Sequence, residues 1–312
     1  MKEVRVLEGR TPTPLVEIVE SEHRAMGVKL LLKRDDLIHP SIPGNKWRKL
    51  VPSFREAAAG HHDTVLTFGG AFSNHIYAVA NAAELAGLRS IGLIRGEEHL
   101  PLNPVLEQAQ RVGMELHYID RDTYRRKDTP AFLATLPERF GAPFVIPEGG
   151  SSPAGVRGVA DVVGEIDRPF DVICCPCGTG GTLAGLASAL PPHARAVGVA
   201  VLKGAGFLTR DVSGLLTAVG SASSRWEVLL DYHFGGFARA TPELLAFIDD
   251  FEEKHGVGLD PIYTGKMMYA LYDCIERRRF EPGTRIVALH TGGVPRDHWA
   301  GLVPAEAPAS TP

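Results

Sequence analysis

The chain predicts an α/β fold of two domains, built on open twisted parallel sheets with helices on both faces. Three observations carry that prediction. Short strands alternate with amphipathic helices along most of the sequence. The strands are apolar along their whole length, as in sheets covered on both sides. Glycine- and hydroxyl-rich turns follow several strands, and open α/β sheets bind ligands at that end. With 312 residues the chain can form one large or two ordinary domains.

In order, Arg10-Thr11-Pro12-Thr13-Pro14-Leu15 is extended, since each proline keeps its predecessor out of the helical region. Val28 to Leu32 reads as a strand ending in Lys33-Arg34-Asp35-Asp36, and a helix follows from about Asn45 to Ala59. Thr64 to Phe68 is a short apolar strand, and its helix carries Ile76, Val79, Ala80 and Ala83 at i, i+3, i+4, i+7. Ser90 to Ile94 is a strand, Asn103 to Val112 a helix, Glu115 to Ile119 a strand, Pro130 to Phe140 a helix and Phe144 to Ile146 a strand. Pro147 to Ser152 is a turn-rich junction and a candidate boundary. Residues 1–48 and 148–312 are then the larger domain, with 49–147 inserted as the smaller one.

Beyond the junction a helix is expected over Pro153 to Ile166 and a strand over Asp171 to Cys175. A glycine loop leads to a helix with Leu183, Leu186 and Leu190 on one face, and Arg195 to Val201 is a strand. Thr241 and Pro242 suit the N-cap and first residue of a helix to His255. Gly265 to Arg278 is a further helix and Arg285 to Leu289 the last strand. The Pro-, Ala- and Ser-rich segment 303–312 is expected to be a loose tail.

Composition excludes several functions. Apolar residues make up 44% and charged residues 22%, as in a soluble globular protein. Net charge is −4 and no basic block occurs, which argues against nucleic acid as the main partner. Residues 172–192 carry no formal charge, but Pro176, Gly178, Gly180 and Gly181 interrupt them, so no membrane span is expected. The charged start, Met1 to Arg5, does not resemble a signal peptide. Cys174, Cys175, Cys177 and Cys274 fit neither a disulfide framework nor a metal site, and read as small apolar residues. Free thiols and no signal point to the cytoplasm.

Four stretches carry chemistry. Pro43-Gly44-Asn45-Lys46 delivers a lysine on a turn to the start of a helix; alone, it reads first as a basic surface turn. The loop Gly178-Thr179-Gly180-Gly181-Thr182 joins a strand to a helix, where backbone N–H groups and the helix dipole favour a phosphate. It lacks the third glycine and the later acid of a dinucleotide site, and the lysine of a P-loop, so a small phosphomonoester suits it best. Phe68 to His75 places Ser73, Asn74 and His75 at a strand end, where Ser73 could equally be an N-cap and His75 a structural histidine. Asp260 to Lys266 and His290-Thr291-Gly292-Gly293 are the remaining polar turns. A lysine, a phosphate cup and hydroxyls at strand ends together fit pyridoxal 5′-phosphate.

These motifs resemble, over nearly the whole chain, the ACC deaminase / D-cysteine desulfhydrase family (ACC is 1-aminocyclopropane-1-carboxylate). That family lies within the tryptophan-synthase-β-like, fold type II pyridoxal-phosphate enzymes. The likeness runs from Thr13-Pro14-Leu15 through Lys33 to Asp36, Gly44 to Lys46, Ser73 to His75, Gly178 to Thr182 and Tyr263 to Lys266 to His290 to Gly293. It implies that Lys46 is the Schiff-base lysine, with Asn74 at the cofactor's 3′-oxygen, Thr264 facing N1 and Thr291 also among the cofactor-binding residues. Ser73, Asn74, His75, Phe237 and Tyr263 would surround the substrate, with Lys46, Ser73 and Tyr263 catalytic. A homodimer and no metal are implied as well.

ACC deaminases have Glu and Leu where this chain has Thr264 and Thr291, whereas D-cysteine desulfhydrases have the threonines. That favours β-elimination on a small amino acid, to a 2-oxo acid, ammonia and a thiol or sulfide. Ring opening of ACC is the alternative, and a cofactor-binding protein without turnover the third reading. At one place the chain departs from both enzymes. Their Gly-Tyr-Gly tyrosine is replaced by Phe237, with Arg239 nearby, which leaves the substrate open.

Overall fold

The structure, a computed structural model, describes residues 7–293, so the expected loose tail and the charged N-terminus lie outside the described residues. β1 (Leu15–Ile18) and α1 (Ser21–Ala25) lead to β2 (Lys29–Lys33) and α2 (Gly44–Ala59). Then come β3 (Thr64–Gly69), α3 (Asn74–Ala86), β4 (Arg89–Arg95), α4 (Pro104–Arg111) and β5 (Met114–Ile119). The short helices α5 (Arg121–Arg125), α6 (Pro130–Leu133) and α7 (Leu136–Phe140) precede β6 (Phe144–Ile146). After it follow α8 (Pro153–Gly164), β7 (Val172–Cys177), α9 (Gly181–Ser188) and β8 (Arg195–Ala200). The last elements are α10 (Leu208–Ala218), β9 (Trp226–Leu229), α11 (Pro242–His255), α12 (Thr264–Glu276) and β10 (Arg285–Leu289).

Among the described residues these strands form two sheets, one in the order β1-β2-β10-β7-β8-β9 and one in the order β5-β4-β3-β6. The larger sheet explains the uniformly apolar strands. Leu30, Leu32, Val172, Cys174, Ile286 and Ala288 face a core with Leu244, Ile248, Met267 and Leu271 of α11 and α12. Their neighbours Leu31, Ile173, Cys175, Val287 and Leu289 face the opposite core, with α8, α9 and α10. Successive side chains point to opposite faces, and both faces are covered. All four cysteines are free and buried. No helix among the described residues is long and apolar enough to cross a membrane.

Three differences from the sequence reading have local causes. The helix expected over residues 130–140 is broken between α6 and α7, because Pro137 has no N–H to bond the preceding turn. β1 pairs antiparallel with β2, giving the otherwise parallel sheet one reversed edge. α10 and β9 occupy a stretch to which no element was assigned. α10 nevertheless buries Leu208, Val212 and Leu216 on one face, and β9 is a short, partly exposed edge strand.

One buried ion cluster places α2. Arg48 donates to both oxygens of Asp35, at 2.6 and 2.9 Å, and to both oxygens of Glu165, each at 2.8 Å. Lys33 donates to Glu165 at 2.7 Å, to the Thr13 carbonyl at 2.7 Å and to the Thr13 hydroxyl at 2.5 Å. The cluster joins the segment before β1, the end of β2, α2 and the end of α8. Burial alone would raise the Glu165 pKa, but the bonds from Arg48 and Lys33 bring it below its ordinary value. α8 approaches closely because residue 158 is glycine; a Cβ there would lie 2.1 Å from the Arg48 carbonyl oxygen.

Arg48→Met strands the buried Asp35 carboxylate, and is expected to cost about 3–5 kcal/mol. Lys29→Met, which removes an exposed pair with Glu17, should cost under about 1 kcal/mol. Thermal melts of the two variants compare the losses; equal midpoints would remove the cluster from its role.

Candidate active site

A cavity of about 660 Å³ opens where the carboxyl ends of β3, β4, β6, β7 and β10 meet the first turn of α2. It brings together Lys46, Ser73, Asn74, His75, Gly178, Thr179, Gly180, Thr182, Phe237, Tyr263 and Thr291, which the sequence scatters over most of the chain. Two expected residues lie behind its wall. Gly181 packs against Ser151 and Lys49, and the Thr264 hydroxyl is engaged elsewhere, as described below.

The start of α2 is held from two sides. The Asn45 N–H donates to the Thr291 carbonyl at 3.2 Å, and the Asn45 side-chain amide donates to the Thr182 hydroxyl at 2.8 Å. Lys46 is half-buried, because the cleft is open, yet its amine is surrounded by protein. Burial lowers its pKa to about 8, partly offset by the negative charge of Glu148. One turn on, Lys49 is fully buried and donates to the Gly149 carbonyl at 3.1 Å. Burial, and then the charge of Lys46, push it well below the ordinary lysine value.

Ser73 is both an N-cap and part of the cavity wall. Its hydroxyl oxygen accepts from the N–H groups of His75 and Ile76, at 3.2 and 3.4 Å, which fixes the first turn of α3. Asn74, the next residue, has a buried side-chain oxygen with no protein partner. The Thr67 hydroxyl donates to the Ile146 carbonyl at 2.8 Å, so the His75 Nε2, 2.8 Å from the same hydroxyl, must carry a proton and donate to it. Burial, then Lys46 and Lys49, hold His75 well below the usual histidine value, so it stays neutral near pH 7.

On the facing wall, Asp260 caps α12. Its carboxylate accepts from the N–H groups of Ile262, Tyr263 and Thr264 and from the Thr264 hydroxyl, at 2.8 to 3.0 Å. The Thr264 oxygen also accepts from the Asp260 N–H at 2.8 Å, which spends that hydroxyl within the cap. Thr291, buried at the end of β10, is the threonine that reaches the cavity. Burial, then Asp260 and Glu148, raise the Tyr263 pKa, so it offers a hydroxyl proton rather than a phenolate. The Phe237 ring meets the Tyr263 ring edge-on, with centroids 6.0 Å apart. Lys266 anchors the Phe237 segment by donating to the His233 and Gly236 carbonyls, at 2.9 and 2.8 Å.

The donor set fits pyridoxal phosphate at both ends. α9 begins without a side-chain cap, so its first N–H groups are free to meet an anion. A Cβ at Gly181 would stand 2.5 Å from the Ser151 hydroxyl and 3.1 Å from the Lys49 amine, so the cradle needs glycine there. Thr182, which accepts from Asn45, keeps its own proton to donate. Lys49 has no carboxylate partner among the described residues, and a phosphate beside it would favour its charged form. The Lys46 amine, across one helical turn, suits the aldehyde.

Sequence reasoning missed Lys49 as part of the site, although it follows Lys46 at i+3. It also missed Arg95, Tyr124, Lys127 and Glu148, which form the outer part of the cavity. Arg95 ends β4 and Glu148 follows β6 closely, so the strand-end rule was the available signal.

Comparisons with known proteins identify the family. A family model described as pyridoxal-phosphate dependent enzyme matches residues 6–292. A solved structure described as an ACC deaminase homologue superposes with a TM-score of 0.81 at 34% identity, covering 94% of this chain and 93% of that one. The Arabidopsis thaliana bifunctional D-cysteine desulfhydrase/1-aminocyclopropane-1-carboxylate deaminase, mitochondrial, is 32% identical over 86% of this chain and 73% of its own. A Klebsiella pneumoniae D-cysteine desulfhydrase is 31% identical over 91% of this chain and 92% of its own.

In protein freed of small ligands, reductive methylation of Lys46 by formaldehyde, followed by peptide mass, should have its pH midpoint near 8. Glu148→Gln removes the charge that favours the ammonium form, so the midpoint should move to lower pH. A midpoint at the ordinary lysine value would refute the burial of this amine.

Proposed function

The chain belongs to the pyridoxal-phosphate dependent enzyme family, among relatives named for D-cysteine desulfhydrase and ACC deaminase, and from that premise we propose that it catalyses β-elimination on a small amino acid, as a D-cysteine desulfhydrase does. The balance for cysteine is one water consumed and pyruvate, ammonia and hydrogen sulfide released, with no net redox change. Pyridoxal phosphate, when bound, supplies an aldehyde for covalent attachment to an amine and a ring that accepts the electron pair from Cα.

The chain's own residues do the rest. Lys49, the first N–H groups of α9 and the hydroxyls of Thr179 and Thr182 would hold the phosphate. Lys46, lowered to about 8, has a neutral fraction near physiological pH and takes the Cα proton at its Nζ. Ser73 and Asn74 hold the substrate carboxylate end at the start of α3. Tyr263, protonated, stands opposite and donates its hydroxyl proton towards the leaving substituent.

The observation favouring elimination over ring opening is the neutral wall around Thr291. Asp260, the acid behind it, has its carboxylate occupied by four donors of its own helix cap. A hydroxyl facing the ring nitrogen of a bound cofactor would make a weaker electron sink than a carboxylate, and would suffice when a good leaving group departs from Cβ.

The test is 2-oxo acid release from D- and L-cysteine, D- and L-serine and ACC. Pyruvate from D-cysteine is expected. 2-Oxobutyrate from ACC as the main product would replace this reading with ring opening, and no 2-oxo acid from any compound would reject turnover of this class. Lys46→Ala should lower the rate by at least about a thousandfold and abolish the violet-region absorbance of the bound cofactor.

A further inference from the structure

We propose that, among β-substituted amino acids, the site favours those whose β-substituent carries an anionic oxygen group, and that Arg95 binds that group. This rests on the elimination reading and narrows its substrate.

Arg95 is the last residue of β4, which runs parallel to β3 with Gly69 opposite Ile94. The register puts it beside the turn that leads to Ser73 and Asn74. Its Nη2 lies 3.5 Å from the point where a Cβ on Gly70 would stand. The guanidinium therefore borders the same cavity as the residues assigned to the substrate.

Its charge is not neutralised by the protein. Of the other cations on this outer wall, Lys127 pairs with Asp128 at 2.8 Å and Glu148 at 3.1 Å, and Arg125 pairs with Asp122 at 2.5 Å. Arg95 has no carboxylate within ion-pair distance among the described residues. The Arg95 guanidinium carbon is 5.7 Å from the centroid of the buried Tyr124 ring. Lys127 Nζ is 5.1 Å from the same centroid. Arg95 is exposed on the cavity side and lies within cation–π reach of that ring, and no hydrogen bond among the described residues takes up its N–H groups, which leaves them for a planar or tetrahedral oxyanion. Glu148, between this wall and Lys46, repels an anion from its own side. Phe237, on the other wall, has no hydrogen bond to offer a substituent. With Tyr263 assigned to the proton, recognition of the anionic end of the β-group falls to Arg95, through the bidentate geometry that carboxylates and phosphates share.

The test separates binding from turnover. In calorimetry with the holoenzyme, aspartate, which has the second carboxylate but no leaving group, should bind at least tenfold tighter than 2-aminobutyrate, each tried as both enantiomers. Arg95→Gln should abolish that difference while leaving 2-aminobutyrate affinity within about twofold, and Arg95→Lys should restore part of it. In turnover, S-carboxymethylcysteine and O-phosphoserine distinguish a carboxylate from a phosphate, and each should exceed S-methylcysteine in kcat/KM by tenfold or more. Equal affinities for aspartate and 2-aminobutyrate, or an equal loss for both in Arg95→Gln, would overturn the proposal. If no compound is eliminated, the elimination reading fails, while the aspartate comparison still decides whether Arg95 reads an anion.

Discussion

The Arg48 guanidinium, shared between Asp35 and Glu165 in the interior, is the interaction on which the rest of the site hangs. It lies two residues beyond Lys46 on the same helix. Four well-aligned bonds to two carboxylates leave that helix little freedom to slide or rotate. Such a cluster gains little stability over an apolar replacement, because four buried polar groups and the partly exposed Glu165 must first leave water. Its effect is positional. Asp35 belongs to the segment after β2, Glu165 to the end of α8 and Thr13 to the chain before β1. The helix is thus referenced to the larger sheet, while its later residues Leu50, Phe54 and Ala57 pack into the core of the smaller one.

With α2 fixed, one helical turn separates two amines of different use. Lys46 and Lys49 stand at i and i+3, and burial, then the charge of Lys46, disfavours the charged form of Lys49. Burial first, then the two lysines, also holds His75 neutral. The resulting pocket favours an anion at Lys49 and a neutral amine at Lys46. Glu148 is the counterweight that keeps Lys46 from falling further.

The opposite wall is rigid for separate reasons. Asp260 ties down three successive N–H groups and the Thr264 hydroxyl, so Tyr263 leaves the cap in one direction. The segment bearing Phe237 has no regular structure, and Phe234, Gly235, Gly236 and Ala238 all have positive φ. Such a segment holds its shape only with outside support. Lys266, from the turn after Tyr263, bonds two of its carbonyls. The two aromatic rings are therefore positioned by neighbours in a single short motif.

Local physics made much of this legible in the sequence. Thr241 and Pro242 start α11 as their capping chemistry requires, and Asn103 and Ser73 cap α4 and α3. Uniformly apolar strands implied covered parallel sheets. The loops at 46, 73–75, 178–182, 263 and 291 stood out as polar turns at strand ends and helix starts, and the family resemblance supplied the roles expected of their residues. What the sequence did not disclose was pairing at a distance. Arg48 meets Asp35 across 13 positions and Glu165 across 117, and no periodicity encodes either contact. Arg95, Tyr124, Lys127 and Glu148 come from separate strand ends and loops, and become one wall only when β4, β5 and β6 assemble. Thr264 was expected at the ring nitrogen, yet the cap at Asp260 occupies its hydroxyl, and it is Thr291 that lines the cavity. Residue type and short spacing determined the fold class and the kind of chemistry. The packing of the two sheets decided which charges are buried, which are neutralised and which still face a ligand, because burial and charge pairing depend on the whole assembled surroundings of a group.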